Sequence, residues 1–418
     1  MTTRNLNIAM LSLHSSPIGP LGAQDTGGMS VYVRELARWL GAGGHRVDIF
    51  TCAGSGEPEI ELYSNVRLIR LGKDADAPGT KAGLPAWLPQ VFEALDRFRH
   101  AQGRTYDIVH SHYWLSGVVG SLARQGWPCH HVTMFHTLAA RKNRDSDMEN
   151  EPDLRLASER RLVTNADRII VPVPGEGHFL EETYGAERSR ISIIPGGVDM
   201  ALFRPVDRLM ARRRLHLPED GVLILYVGRF APLKRVDRLV SAVAQLRSQG
   251  RNAHLILVGG DDPDDQSTQA LKAAVSQHHL EESVHFSGRV DQQALPLYYS
   301  AADLLALPSD YESFGLVLLE AMACGTPVMA TRVGIAPTLV EEGVNGTLLE
   351  NNNIDSLVRG FERLTASNRL AVERIRSTVT PYNWQGIAAA MVDVYVCLLK
   401  STIHHQHHRF DLKGNEPT

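Results

Sequence analysis

The sequence predicts an α/β protein of two doubly wound domains facing each other across a cleft, each a parallel sheet with helices on both faces. Three observations carry that prediction. Short apolar runs of strand length alternate with helix-length segments along nearly the whole chain. The alternation is interrupted by a polar, arginine-bearing stretch over residues 195–217 and then begins again. At 418 residues the chain is long enough to bury two cores.

In the first half, residues 6–13 read as a strand and the Pro/Gly-bearing residues 14–24 as a loop. Asp25-Thr26-Gly27-Gly28-Met29-Ser30 then opens a helix whose apolar face holds Val31, Val33, Leu36, Ala37 and Leu40, and Gly43-Gly44 ends it. A glycine pair in a first strand-helix turn lets backbone amides face a phosphate or sugar. Residues 47–51, 65–71, 106–110, 131–135, 167–171 and 191–194 are the next strands. Between them lie a polar loop over 72–83 carrying Lys81, a helix begun by His112-Tyr113-Trp114, and an acidic loop over 145–153 before a helix with Arg155. The sheet is expected to be parallel throughout.

The second series has strands at 222–227, 254–258, 284–287, 302–307, 328–330 and 346–349. The domains divide as 1–198 and 199–384. A strongly apolar helix over 385–400 is suited to pack back on the first domain, and 401–418 read as a disordered tail.

A net charge of −4 gives no global attraction to nucleic acid or to an anionic membrane. No apolar stretch approaches the length of a membrane span, and Ile8-Ala9-Met10-Leu11 is too short for a signal peptide. Cys52, Cys129, Cys324 and Cys397 are scattered without pair spacing, which argues against a zinc site or disulfide framework and suits a cytoplasmic protein. Asp261-Asp262-Pro263-Asp264-Asp265 reads as a solvated loop, so no metal is expected, and Arg212-Arg213-Arg214 as a solvated helix face.

The chemistry concentrates in residues 308–328. Glu312 falls in the loop before a helix starting near Phe314 or Gly315, and Glu320 lies about two turns further on. Free amides of Phe314, Gly315 and Leu316 can bind an anion there, and Gly315 permits close approach to the backbone. Amides for phosphate and carboxylates for hydroxyl groups are what a nucleotide-sugar requires. Arg229 and Lys234, after the strand that opens the second domain, add two cations suited to a diphosphate.

The 312–320 string resembles the Glu-x7-Glu region of retaining glycosyltransferases of family 4, and Gly228-Arg229 to Lys234, with four residues between its two cations, resembles that family's Gly-Arg…Lys element. The resemblance covers roughly residues 6–399 and implies two Rossmann-like domains of the GT-B type. It implies that Glu312 contacts the donor sugar, that Glu320 contacts the ribose, and that Arg229 and Lys234 clamp the diphosphate. Gly27, Gly28, Val290, Phe314, Gly315 and Leu316 complete the implied donor site, and His136 stands near the sugar. The catalytic set so implied is His136, Arg229, Lys234 and Glu312. No clear carboxylate nucleophile stands beside His136. This fits a retaining mechanism in which the departing phosphate deprotonates the incoming hydroxyl, as proposed for the family.

The segments 25–29 and 136–143 resemble the mycothiol-pathway inositol-phosphate glycosyltransferases and the sucrose-phosphate synthases. That likeness places Lys81, Tyr113, Thr137 and Arg155 around an acceptor phosphate. Two local departures are Val173-Pro174-Gly175-Glu176, which lacks the usual Ser or Thr, and Gly196, which replaces a common Asn. The expectation is a hexosyltransferase using a UDP-sugar and a small phosphorylated acceptor, with no cofactor beyond the donor and with a homodimer possible. Alternatives are a lipid-linked or polysaccharide acceptor, a nucleotide-sugar epimerase or pyridoxal-dependent phosphorylase on the same architecture, and a non-catalytic sugar-nucleotide binding protein.

Overall fold

The computed structural model describes residues 4–19, 26–52, 56–71, 83–145, 151–260, 266–366 and 370–411. Lys81, Asp25 and the 261–265 acidic run lie outside them.

The first sheet holds eight strands: β1 (Asn7–Leu11), β2 (Arg46–Thr51), β3 (Glu59–Tyr63), β4 (Val66–Arg70), β5 (Ile108–His112), β6 (His130–Met134), β7 (Arg168–Val171) and β8 (Ile191–Ile193). Their order is β3-β4-β2-β1-β5-β6-β7-β8. The second sheet holds β9 (Val222–Val227), β10 (Ala253–Val258), β11 (Val284–Gly288), β12 (Leu304–Leu307), β13 (Val328–Ala330) and β14 (Gly346–Leu348), in the order β11-β10-β9-β12-β13-β14. All pairs in the second sheet are parallel.

The first sheet departs from the expectation at one edge. β3 pairs antiparallel to β4, with Glu59 opposite Ile69 and Ile60 opposite Leu68. Its half-exposed Glu-Ile-Glu-Leu-Tyr run lacks the continuous apolar character of the buried strands, so a search for such runs passes over it.

Alternate residues of each inner strand serve opposite faces. Ile8 and Met10 join a cluster with Val33, Leu36 and Trp384, whereas Ala9 and Leu11 join one with Trp114, Phe135 and Phe179. In the second sheet Leu223 and Leu225 pack toward Tyr299 and Leu319, and Ile224 and Tyr226 toward Val240 and Phe361. Two-sided burial is why these strands read as uninterrupted apolar runs.

The last helix, Trp384–Asp411, packs Trp384, Ile387, Met391 and Tyr395 into the first domain's cluster. It continues through residues 401–411. A further correction concerns the arginine run. Arg212 is 1% exposed, donates to the carbonyls of Ala301 and Glu219, and pairs with Asp303 at 2.7 Å. The bulk of its helix, Arg208–Arg214, hides that inward position from a reading of charge alone. Arg213 stays at the surface, paired with Glu219.

Trp384 is 2% exposed and meets Tyr32 edge-on at 5.4 Å between ring centroids. Trp384→Ala is expected to cost about 3–5 kcal/mol of stability by denaturant unfolding. A wild-type midpoint would show that the returning helix is not part of the first domain's cooperative core.

Candidate active site

Both sheets are doubly wound about an inner strand, β1 in the first and β9 in the second. Ligands of such sheets gather where strand order reverses, outside the carboxyl ends of the strands. The residues singled out from sequence fall there. His136 follows β6, Arg229 and Lys234 follow β9, Val290 follows β11 and Glu312 follows β12, and His112, which sequence reasoning passed over, closes β5.

The two carboxyl edges face each other. The Leu316–Ala323 helix begins after Gly315, whose φ of 97° is the left-handed conformation that glycine adopts without strain. A methyl added at Gly28 would come 3.8 Å from Leu316, and one at Gly196 would come 2.8 Å from Phe314. Nothing lies within 4 Å of such a methyl at Gly27, the residue that caps the Gly28–Ala42 helix. Two helix N-termini therefore approach one another across the cleft, each able to turn amides toward an anion.

On the second-domain side, Lys234 Nζ lies 2.6 Å from Glu312 Oε1, and Ser309 Oγ donates to the same oxygen at 3.1 Å. The Tyr226 hydroxyl donates to the Arg229 carbonyl at 2.8 Å and lies within the electrostatic reach of both Glu312 and the Arg229 guanidinium. Lys234 and Glu312 are thus an ion pair at the end of β12, with Arg229 following β9 next to it in the sheet. Glu320 is held elsewhere on the cleft wall. It is 7% exposed and accepts from the Tyr299 hydroxyl at 2.6 Å. Burial pushes its carboxyl up to about 7, against the hydrogen bonds from Tyr299 and Gln292. Gln292, two residues after half-buried Val290, also accepts from Arg34 of the first domain. The expectation that Glu312 and Glu320 share one face is thereby refined: each has its own set of partners.

On the first-domain side, Thr137, Arg155 and Tyr113 come together. Arg155 is 2% exposed and donates to the Thr137 carbonyl at 2.7 Å and hydroxyl at 2.9 Å. It pairs with Glu159 at 2.8 Å and Glu151 at 2.9 Å, and its guanidinium stacks 4.8 Å from the Tyr113 ring centroid. Lys142 joins through Glu151 at 2.6 Å. Arg155 is therefore already engaged by carboxylates and fixes the Thr137 hydroxyl in place. Tyr113 and His136 have φ of 74° and 59°. Such strain in residues other than glycine collects at ligand sites.

His136 Nε2 lies 2.9 Å from His112 Nδ1. Burial pushes the His136 imidazole down to about 3, with His14 adding to the effect. It is neutral at physiological pH.

Several residues of this cleft were missed from sequence. Gln292 and Arg34 are ordinary polar residues of a loop and a helix, and only the facing of the domains joins them. Tyr311 lies against Arg141, whose guanidinium is 6.0 Å from its ring centroid, again across the cleft. Glu176 is 8% exposed, and burial pushes its carboxyl up to about 8. Its sequence signal is the unusual Val173-Pro174-Gly175-Glu176 segment.

Comparison with known proteins places this geometry in a family. A model described as Glycosyltransferase Family 4 matches residues 26–202, and one described as Glycosyl transferases group 1 matches residues 207–378. A D-inositol 3-phosphate glycosyltransferase of a Nocardioides species is 39% identical over 409 residues, 93% of this chain and 89% of that one. D-inositol 3-phosphate glycosyltransferase 2 of Catenulispora acidiphila is 38% identical over 93% of this chain and 94% of its own. The structure of sucrose-phosphate synthase from Thermosynechococcus elongatus superposes with a TM-score of 0.87 at 34% identity, covering 95% of this chain and 100% of that one. With two facing parallel-sheet domains and relatives matched along almost their whole length, the chain belongs to glycosyltransferase family 4 and is a glycosyltransferase of the GT-B fold.

Proposed function

We propose that the protein moves a hexosyl group, with retention of configuration, from a nucleoside-diphosphate sugar, a UDP-sugar, to a hydroxyl of a small phosphorylated acceptor. The observation that carries this reading is the Lys234–Glu312 ion pair at the β9/β12 switch point, with Arg229 at the end of β9, opposite the Tyr113–Thr137–Arg155 group.

Breaking the bond between the anomeric carbon and the diphosphate leaves positive charge on the sugar and negative charge on the leaving group. Arg229, Lys234 and the amides at Phe314 to Leu316 stabilise the negative charge most as it develops. Glu312 holds Lys234 in position and offers its carboxylate to sugar hydroxyls. Glu320 accepts hydrogen bonds from the ribose. The acceptor oxygen attacks on the face the diphosphate leaves, and its proton passes to a phosphate oxygen of the departing nucleotide. The Thr137 and Tyr113 hydroxyls, with Arg155 behind them, suit a phosphate monoester. The names of the relatives support the same acceptor class, since one specifies an inositol phosphate and the other a phosphorylated sugar product. Among the described residues no helix is long and apolar enough to cross a membrane, which suits a small soluble acceptor.

A thermal-shift panel of UDP-, GDP- and ADP-sugars, followed by an acceptor screen with the best donor, tests the reading; it fails if no donor releases nucleoside diphosphate with any phosphorylated acceptor. Lys234→Ala is expected to lower kcat by about 10²–10³ while leaving the far-UV spectrum unchanged. Near-normal turnover would remove Lys234 from the diphosphate site. Thr137→Val should raise the acceptor KM about tenfold with little change in the donor KM. Equal effects on both would dissociate this group from the acceptor. Glu320 adds a pH dependence. A carboxyl raised to about 7 is ionised above that pH and protonated below it, and only the ionised form accepts from both ribose hydroxyls. Donor Kd should therefore weaken about tenfold from pH 8 to pH 6. The slope should vanish in Glu320→Gln, and a slope that persists there would assign it to another group, Glu176 being the nearest in range.

A further inference from the structure

The geometry points to His112 as the positioning residue that decides which nitrogen of His136 carries its proton, so that His136 presents Nδ1–H to the transferred sugar as a hydrogen-bond donor. This inference rests on the reading that His136 faces the sugar.

His112 is fully buried, with neighbours from every side. Its ring centroid lies 4.3 Å from that of His110 on the same strand, 5.8 Å from that of Tyr32 on the Gly28–Ala42 helix and 5.1 Å from that of His136. Tyr395 of the last helix bonds His110 Nδ1 at 2.7 Å, and His14, in the loop after β1, lies 4.2 Å from Tyr113 between ring centroids and acts on His136 electrostatically. Burial pushes His110 and His136 down to about 3, and His112 well down too, so the group is neutral near pH 7.

A neutral imidazole has one N–H donor and one bare acceptor nitrogen. In the pair at 2.9 Å, one of His112 Nδ1 and His136 Nε2 must carry the hydrogen. The other nitrogen of His112, Nε2, is buried with no hydrogen-bond partner. Were the hydrogen on Nε2, a buried donor would be stranded, and orphaned N–H groups are the rarer and costlier case. The hydrogen therefore sits on Nδ1 and is donated to His136 Nε2. His136 Nε2 is then the acceptor, and its own hydrogen is on Nδ1. His136, unlike His110 and His112, keeps exposed surface, so Nδ1–H is the edge it offers to a ligand.

In this tautomer His136 supplies a hydrogen bond to a sugar oxygen and has no lone pair at Nδ1 with which to remove a proton. Deprotonation of the acceptor falls to the departing phosphate. His112 touches no substrate and acts through His136.

Two variants separate hydrogen bonding from packing. His112→Phe keeps the ring and loses the nitrogens, and His112→Asn keeps a donor near the Nδ1 position and loses the ring. Steady-state kinetics should show kcat down about tenfold in His112→Phe, with the donor KM unchanged, and a smaller loss in His112→Asn. Phe at wild-type kcat, or Phe outperforming Asn, would overturn the inference in favour of packing alone. His136→Ala is run beside them. Loss of turnover there with an unaffected His112→Phe refutes the tautomer assignment and leaves the site reading intact, whereas wild-type turnover in His136→Ala refutes both. In ¹⁵N-histidine-labelled protein, the ring resonances lost in His136→Ala should report an unprotonated Nε2, and a protonated Nε2 would overturn the assignment.

Discussion

Leu316 is where the two domains meet, and the geometry of the site depends on that contact. Its side chain packs partly into the second domain's cluster with Leu318 and Phe314, and partly into the first domain's cluster with Ile194 and Trp384. It stands at the start of a helix and beside Gly28, so apolar packing brings two positive helix ends together. Such an approach is unfavourable for an empty cleft and favourable for one that holds an anion. Shape and charge are thus met by the same few residues, and glycine at 28 and 196 keeps the backbones close enough.

The cleft has two electrostatic regimes. On the second-domain wall the charges are partly exposed and paired, as in Lys234 with Glu312, so an incoming phosphate can share a cation already positioned. Behind the first-domain wall His110, His112 and Tyr32 are buried and neutral, and His136 in front of them is neutral as well. Neutral rings hold shape without opposing the positive charge that develops on the sugar. Arg155 is the exception, a buried cation offset by Glu159 and Glu151 and stacked on Tyr113. Removing one member of that set would leave a buried charge uncompensated, which makes it a rigid platform for Thr137.

The last helix links these regimes to the fold. Trp384 reaches Tyr32, and Tyr395 reaches His110, so the strand that carries His112 is supported by residues from the far end of the chain. A methyl at Gly197 would come 2.7 Å from Trp384, which explains why the chain crosses between domains on a glycine pair.

The sequence by itself determined the two parallel sheets, because strands buried on both faces must be apolar throughout, and it located Arg229, Lys234, Glu312 and His136 through strand-end position and motif. It passed over β3, whose exposed edge leaves no such run, and over the burial of Arg212, since a charge run looks the same whether or not a partner such as Asp303 waits behind it. The tertiary structure alone decided what lies opposite what across the cleft: Arg34 with Gln292 and Arg141 with Tyr311. Those pairs join segments distant along the chain, and no local pattern of residues encodes a distance across a cleft.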